Sequence, residues 1–100
     1  MDVHFRSAEL ERCYQGGDAA RRAWGEKIAQ RYVQRIDALY AAETVKDLFG
    51  LRSLRLHPLK GVRQGQHAIR LDDAWRLVVR FAGNRLTIVT VEEVSKHYGD

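Results

Sequence analysis

The second half of the chain carries residue types that bind and process phosphate groups. Between residues 51 and 71 there are five basic side chains and no acidic one. They are Arg52, Arg55, Lys60, Arg63 and Arg70. The same stretch contains His57, and an imidazole can accept or donate a proton near neutral pH. Arginine holds phosphate with a planar pair of N–H donors, and arginine outnumbers lysine by 13 to 4. The pattern therefore favours phosphate recognition.

The charge of the whole chain follows the same division. Residues 1–50 hold eight basic and eight acidic side chains, whereas residues 51–100 hold nine basic and five acidic ones. A basic surface confined to half of a small domain is typical of a protein with a polyanionic partner. The alternative is a solvated surface without a ligand, although a surface that only maintains solubility usually mixes both signs.

Composition limits the class of protein. With 100 residues, 45% hydrophobic and 30% charged, the chain is expected to form one globular domain over residues 1–100. No apolar run approaches the ~20 residues of a membrane span, and residues 1–6 do not resemble a signal peptide. Cys13 is the only cysteine, so an internal disulfide is excluded. We expect a cytoplasmic protein without a membrane partner.

The first half has helical signals. Ser7 is a candidate N-cap for a first helix that Gly16 and Gly17 end. A second helix is predicted at about residues 19–41. Its apolar stripe, spaced by three and four residues, consists of Ala20, Trp24, Ile28, Tyr32, Ile36 and Tyr40. Thr44 and Asp47 then resemble a capping box for one short turn.

The remaining segments alternate between apolar and polar residues, as strands do. We predict a first strand at residues 3–5 and further strands at about 54–58, 67–71, 75–81 and 85–92. The connections between the later strands are short, so these strands are expected to pair antiparallel. The predicted fold class is α+β, with two N-terminal helices packed on a small, mostly antiparallel sheet.

Alternation also predicts two different faces for this sheet. The large apolar residues of the strand at 75–81 should face the helices, with Ala68 among the residues on the opposite side. That side would carry Arg55, His57, Arg70, Arg76 and Arg80, with Lys60 and Arg63 on the adjacent loop, and is expected to be almost entirely positive. Glu92 and Glu93 are consecutive on a strand and are expected to point to opposite faces. Because no potential ligands show a typical metal-binding spacing, we predict neither a metal nor another cofactor.

One segment resembles a known family. Residues 54–61 read Leu-Arg-Leu-His-Pro-Leu-Lys-Gly, and Arg63, Gly65 and the pair Trp75-Arg76 follow. This pattern is similar to the HigB branch of the RelE/ParE toxin superfamily, which comprises toxins of bacterial type II toxin–antitoxin modules. The resemblance extends over residues 20–98 and implies a RelE-like fold.

The resemblance implies a metal-free endoribonuclease that cuts mRNA on the ribosome. His57, Lys60 and Arg76 match functional positions of the family. His97 and Tyr98 match its C-terminal pair in swapped order, because the commoner tail is Asp-Tyr-His. In this hypothesis His57 or His97 transfers protons, and Lys60 and Arg76 bind the phosphate. Tyr98 stacks on a base or donates a proton. The expected RNA-binding residues are Arg55, Arg63, Arg70 and Arg80.

Two alternatives stay open at the level of sequence. One is a non-catalytic toxin that inhibits gyrase, as in the ParE branch, and the other is a plain nucleic-acid-binding module. Besides mRNA and the ribosome, the resemblance implies a cognate antitoxin as partner. In the HigB branch this antitoxin is HigA-like and carries a helix-turn-helix.

Overall fold

Five strands and four α-helices make up residues 1–96, the part of the chain that the computed structural model describes. In chain order they are β1 (Asp2–Phe5), α1 (Ala8–Gln15), α2 (Ala19–Trp24), α3 (Glu26–Ala41), α4 (Val45–Phe49), β2 (His57–Pro58), β3 (His67–Arg70), β4 (Trp75–Ala82) and β5 (Ile88–Lys96). The strands form one sheet in the order β1-β5-β4-β3-β2. Within this range only β1 and β5 pair in parallel. The predicted α+β fold with a mostly antiparallel sheet is confirmed.

The helices follow the predicted local signals with one exception. The Ser7 hydroxyl accepts a hydrogen bond from the Leu10 backbone N–H (3.2 Å) and caps α1. The long helix predicted at residues 19–41 is wrong in its continuity, because it is divided into α2 and α3. The residue at the division, Gly25, has a φ of 84°. Glycine adopts this left-handed conformation at little cost, so the helix is interrupted there.

The segment after α4 differs from the predicted strand. Residues Arg52–Leu54 form a 3-10 turn, and Arg55 ends it in a left-handed conformation (φ 46°). The strand itself is limited to His57–Pro58. Leu54 and Leu56 are nevertheless buried while Arg55 and His57 are exposed. The alternating burial was therefore correctly predicted, but a turn rather than an extended strand produces it.

The helices cover one face of the sheet, which we call the inner face. Its core combines residues of α3, β4 and β5, including Tyr32, Ile36, Leu77, Val79 and Val91. Full burial of an aliphatic side chain stabilises the fold by roughly 1.5–3 kcal/mol, so this cluster fixes the sheet against α3. Trp75 and Phe81 pack on the same cluster, which confirms the predicted inner side of β4. Among residues 1–96, no helix has the length and apolarity needed to cross a bilayer.

The opposite face, called the outer face, has a small apolar cluster of its own. Leu59, Ala68 and Val78 are buried together there, with 8%, 1% and 0% of their surface exposed. Ala68 lies on the side opposite the helices, as the alternation predicts, but it is buried there because the chain after β2 brings Leu59 over it. The strand register places His57 opposite Ala68, and Ala68 opposite Val78. This cluster divides the polar residues of the outer face into two halves.

Candidate functional site

A pocket of about 180 Å³ lies on the outer face, where β2, β3 and β4 meet. It is lined by Arg55, His57, Ala68, Arg70, Asp72, Asp73 and Arg76. Arg70 and Arg76 are directly opposite each other on β3 and β4, and directly opposed residues of antiparallel strands share a face. The structure thus brings four of the predicted site residues into one pocket. We call this region the pocket half.

The His57 ring is held by the backbone in front of it. Its Nδ1 lies 2.8 Å from the carbonyl oxygen of Arg55. A carbonyl oxygen can only accept a hydrogen bond, so Nδ1 carries the proton. In the neutral ring, Nε2 therefore has the lone pair that can accept a proton. The contact depends on the left-handed turn at Arg55 (φ 46°), a conformation that is uncommon for residues other than glycine.

The pocket also has an acidic rim, which the sequence had suggested only as a turn. Asp73 pairs with Arg70. The Asp72 carboxylate accepts hydrogen bonds from the backbone N–H groups of Ala74 (2.8 Å) and Trp75 (2.7 Å). Burial by itself would raise the pKa of Asp72, but these two hydrogen bonds and nearby positive charges lower it below its ordinary value. The rim is therefore negatively charged at neutral pH.

The other half of the outer face is an ion-paired half, consisting of Arg6, Arg63, Arg80, Glu92 and Glu93. Arg63 pairs with Glu93. Glu92 accepts from Arg80 Nε at 3.1 Å, and Arg6 Nη1 lies 3.9 Å from its other oxygen. Its side chain is only 11% exposed. Gly65 adjoins this cluster, because a Cβ there would lie 2.7 Å from Arg80 Nη1.

The expectation that Glu92 and Glu93 point to opposite faces is wrong. The pairing of β4 with β5 shifts between Val78 and Val79, whose partners are Glu93 and Val91. Glu92 is the extra residue of this β-bulge, and a bulge places consecutive side chains out of strict alternation. Both carboxylates therefore lie on the outer face. The expectation that this face is almost entirely positive is also wrong in this half.

The remaining predicted site residues are placed as follows. Lys60 is exposed at the start of the 3-10 turn Gly61–Arg63, and it is not among the residues that line the pocket. Within residues 1–96, neither Lys60 nor Arg55 makes an ion pair. His97 and Tyr98 lie outside the described residues.

Other reactive side chains are placed away from the pocket. His67 packs edge-on against Phe81 on the inner face, with ring centroids 5.2 Å apart. Burial and, to a lesser degree, the nearby His57 lower the pKa of His67. Cys13 is buried in the inner core, and burial raises the pKa of its thiol. Across residues 1–96, no group of three or more histidine, cysteine or carboxylate side chains is placed to share a metal ion.

Comparison with known proteins agrees with the architecture. The family model for the RelE-like toxin of type II toxin–antitoxin system HigB matches residues 3–93. No curated protein sequence matches the chain.

Three solved structures show the same fold at low sequence identity. The YoeB/ParE toxin from Agrobacterium tumefaciens has a TM-score of 0.59 and 18% identity, with 98% of this chain and 100% of that chain covered. A chain of the YoeB-YefM complex from Staphylococcus aureus has a TM-score of 0.55 and 18% identity, with 98% of each chain covered. A chain of the E. coli DinJ-YafQ complex has a TM-score of 0.58 and 12% identity, with 96% and 92% covered.

Proposed function

Because the chain belongs to the HigB-type, RelE-like toxins of type II toxin–antitoxin systems, we propose that it is a metal-free endoribonuclease that cuts mRNA on the ribosome. The supporting observation is the pocket half, in which His57 is held as the Nδ1–H tautomer beside three arginines. This combination supplies a proton acceptor and fixed positive charge at one place. Translating ribosomes are cytoplasmic, so we assign the protein to the cytoplasm.

The proposed reaction is an attack by the RNA on its own backbone. His57 Nε2 removes the proton from a ribose 2′-hydroxyl, and the 2′-oxygen forms a bond to the adjacent phosphorus. The bond from phosphorus to the 5′-oxygen breaks, and this oxygen takes a proton from His97 or Tyr98. The products are a 2′,3′-cyclic phosphate and a 5′-hydroxyl. Each well-placed proton donor or acceptor contributes roughly 10²- to 10⁴-fold to the rate.

The arginines of the pocket half provide the electrostatic part of this mechanism. Negative charge builds up on the phosphate oxygens as the phosphorus becomes five-coordinate, and fixed cations stabilise that charge. Arg76 and Arg55 are proposed for this role. Arg70 is held by Asp73 and is proposed to bind the RNA backbone. Lys60, which is exposed on the adjacent loop, is proposed to bind a phosphate from outside the pocket.

A cognate antitoxin is the proposed protein partner. Structures similar to this chain have been solved as the YoeB-YefM complex and the DinJ-YafQ complex. We propose that an adjacent gene encodes a HigA-like antitoxin with a helix-turn-helix. Co-expression of the neighbouring open reading frame with a tagged toxin should yield a stable complex. If the two proteins purify separately, the proposed pairing is wrong.

The proposed activity is tested with purified protein in a reconstituted translation system. An mRNA that is being translated should be cut, and the new ends should be a 5′-hydroxyl and a 2′,3′-cyclic phosphate or its hydrolysed 3′-phosphate. The same mRNA should stay intact when initiation is blocked. Intact mRNA together with inhibited DNA supercoiling by purified gyrase would instead support the ParE-like function. RNA binding without either activity would leave only a nucleic-acid-binding module.

A further inference from the structure

The pocket half is built from two chain segments that are separate in sequence. One segment is the 3-10 turn Arg52–Leu54 with Arg55, which leads into His57. The other is the end of β3 at Arg70, together with Arg76 on β4. Because β2 has only two residues, its pairing with β3 is short. Leu54 and Leu56 anchor the first segment in the inner core, and a further contact ties its backbone to the end of β3.

Arg35 of α3 provides such a contact from the inner side. Its Nε donates to the carbonyl oxygen of Arg70 at 2.9 Å, and its Nη2 donates to the carbonyl oxygen of Ser53 at 3.3 Å. One guanidinium group therefore bonds to both segments of the pocket. Ser53 lies two residues before Arg55, whose own carbonyl oxygen holds the His57 ring.

The position of Arg35 is electrostatically unfavourable, which argues against a merely incidental surface arginine. Burial lowers its pKa, and the neighbouring charges of Arg31 and Arg70 lower it further. A fold gains little from a partly buried cation near two others unless its hydrogen bonds compensate. The carbonyl oxygens of Arg70 and Ser53 provide these hydrogen bonds. The planar guanidinium of arginine, with its separate N–H donors, can reach both of them better than the ammonium group of a lysine.

We propose that Arg35 is a positioning residue, which holds the Ser53–His57 segment against β3 and thereby fixes the tautomer and place of the His57 ring. This inference rests on the proposed RNA cleavage, because the placement matters only if His57 transfers a proton. Arg35 does not line the pocket, so its effect passes through the backbone of Ser53 and Arg55.

The test compares Arg35→Lys with Arg31→Lys. Arg31 lies one turn earlier on α3 and donates to the carbonyl oxygen of Leu71 at 3.0 Å. It thus shares the helix and the neighbouring strand end with Arg35, but its hydrogen bond goes to Leu71 and not to the Ser53 segment. Both changes keep the positive charge and remove the planar fork. A general loss of packing should affect the two variants equally.

Two measurements distinguish the outcomes. The ¹⁵N chemical shifts of the His57 ring, recorded where the ring is neutral, report its tautomer. Arg35→Lys should shift the population away from Nδ1–H, and it should lower kcat for mRNA cleavage by roughly tenfold or more with little change in KM, since small misplacements of a reacting group are costly. Arg31→Lys should retain both the tautomer and kcat.

Equal tautomer populations and equal kcat in the two variants would overturn the proposed role of Arg35. If wild-type protein does not cut mRNA, the proposed function fails, but the tautomer measurement still decides whether Arg35 positions His57. If Arg35→Lys does not fold, Arg35→Gln is tested in its place, because glutamine retains an N–H donor without the charge.

Discussion

The two halves of the outer face contain similar numbers of arginines but differ in how these are paired. In the pocket half, Asp73 pairs with Arg70, while Arg55 makes no ion pair within residues 1–96. In the ion-paired half, Arg63 and Arg80 each contact a glutamate of β5. A paired arginine must exchange its carboxylate for an incoming phosphate, so its net contribution to RNA binding is smaller. The number of basic residues is therefore a poor measure of the charge available to a ligand.

The two halves are far enough apart that the charges of one have little electrostatic effect on the other. Arg76 and Arg80 are four residues apart on β4, which corresponds to about 13 Å along a strand. Exposed charges are screened over about 8 Å at physiological ionic strength. Val78 lies between them and is fully buried. The pocket half is thus the region where RNA chemistry is expected, and four predictions test this division.

The largest effect is expected from replacing the proposed proton acceptor. His57→Gln should lower the rate of mRNA cleavage by roughly 10²- to 10⁴-fold, because it removes one proton-transfer group. Stability should change little, since the His57 side chain is exposed. His4→Gln is the control: it removes another exposed histidine, 3.0 Å from Asp2 on β1, and should leave cleavage unchanged. Cleavage by His57→Gln at close to the wild-type rate would remove the basis of the proposed mechanism.

The second prediction compares one arginine from each half in RNA binding. Arg55→Gln should weaken binding of a non-cleavable, 2′-O-methylated oligonucleotide and reduce the salt dependence of log K by about 0.7, the value for one phosphate contact on a single strand. Arg80→Gln should change both quantities much less, because Arg80 already contacts Glu92. Affinity measured from low to high salt provides the comparison. Equal losses in the two variants would show that the halves do not differ in available charge.

The third prediction increases binding instead of weakening it. Glu93→Gln should release Arg63 and raise affinity for the same oligonucleotide by about two- to fivefold at low salt, the scale of one partly exposed ion pair. Glu26→Gln is the matched control, because it makes the same change in net charge at an exposed position on α3. An increase of the same size in both variants would indicate an effect of total charge alone.

Local sequence signals predicted much of this architecture. The Ser7 cap and the inner-facing residues of β4 depend on neighbours a few positions away, so they could be inferred directly. The same alternation placed His57 and Arg76 on one face, and they line one pocket. Predicting that these two side chains meet requires only the order of the strands and the face to which each side chain points.

The features that sequence reasoning missed depend on pairing between distant segments. The bulge at Glu92 arises from the register of β4 on β5, and no residue type in β5 marks it. Arg55 adopts a left-handed conformation although it is not glycine, so the turn before His57 was predicted as a strand. The acidic rim was missed because Asp72 and Asp73 carry an ordinary turn signal, and only the fold brings them beside the arginines.

The smallest effect is expected on stability, and it comes from the different hydrogen-bond partners of the carboxylates in the two halves. Glu92 is held by arginines, whereas Asp72 is held mainly by backbone N–H groups, and its pKa is lowered although burial alone would raise it. Ionised Asp72 should therefore stabilise the folded state fully above its unfolded-state pKa of about 3.9. This stabilisation should be lost as the pH falls through the lower native pKa. Denaturant unfolding of wild type and Asp72→Asn should show a difference in free energy of about 1 kcal/mol or less, the scale of one hydrogen bond.

This difference should be constant from about pH 8 to pH 5 and should shrink only in more acidic solution, since native Asp72 is ionised throughout the upper range. Asp73→Asn is the control in the same turn, because the Asp73 side chain is 93% exposed and its removal should have little effect on stability. A difference in unfolding free energy that instead grows as the pH falls from 7 to 5 would mean that the native carboxyl has a raised pKa. The rim of the pocket would then lose the charge of Asp72 near neutral pH, and the electrostatic contrast between the two halves would itself depend on pH.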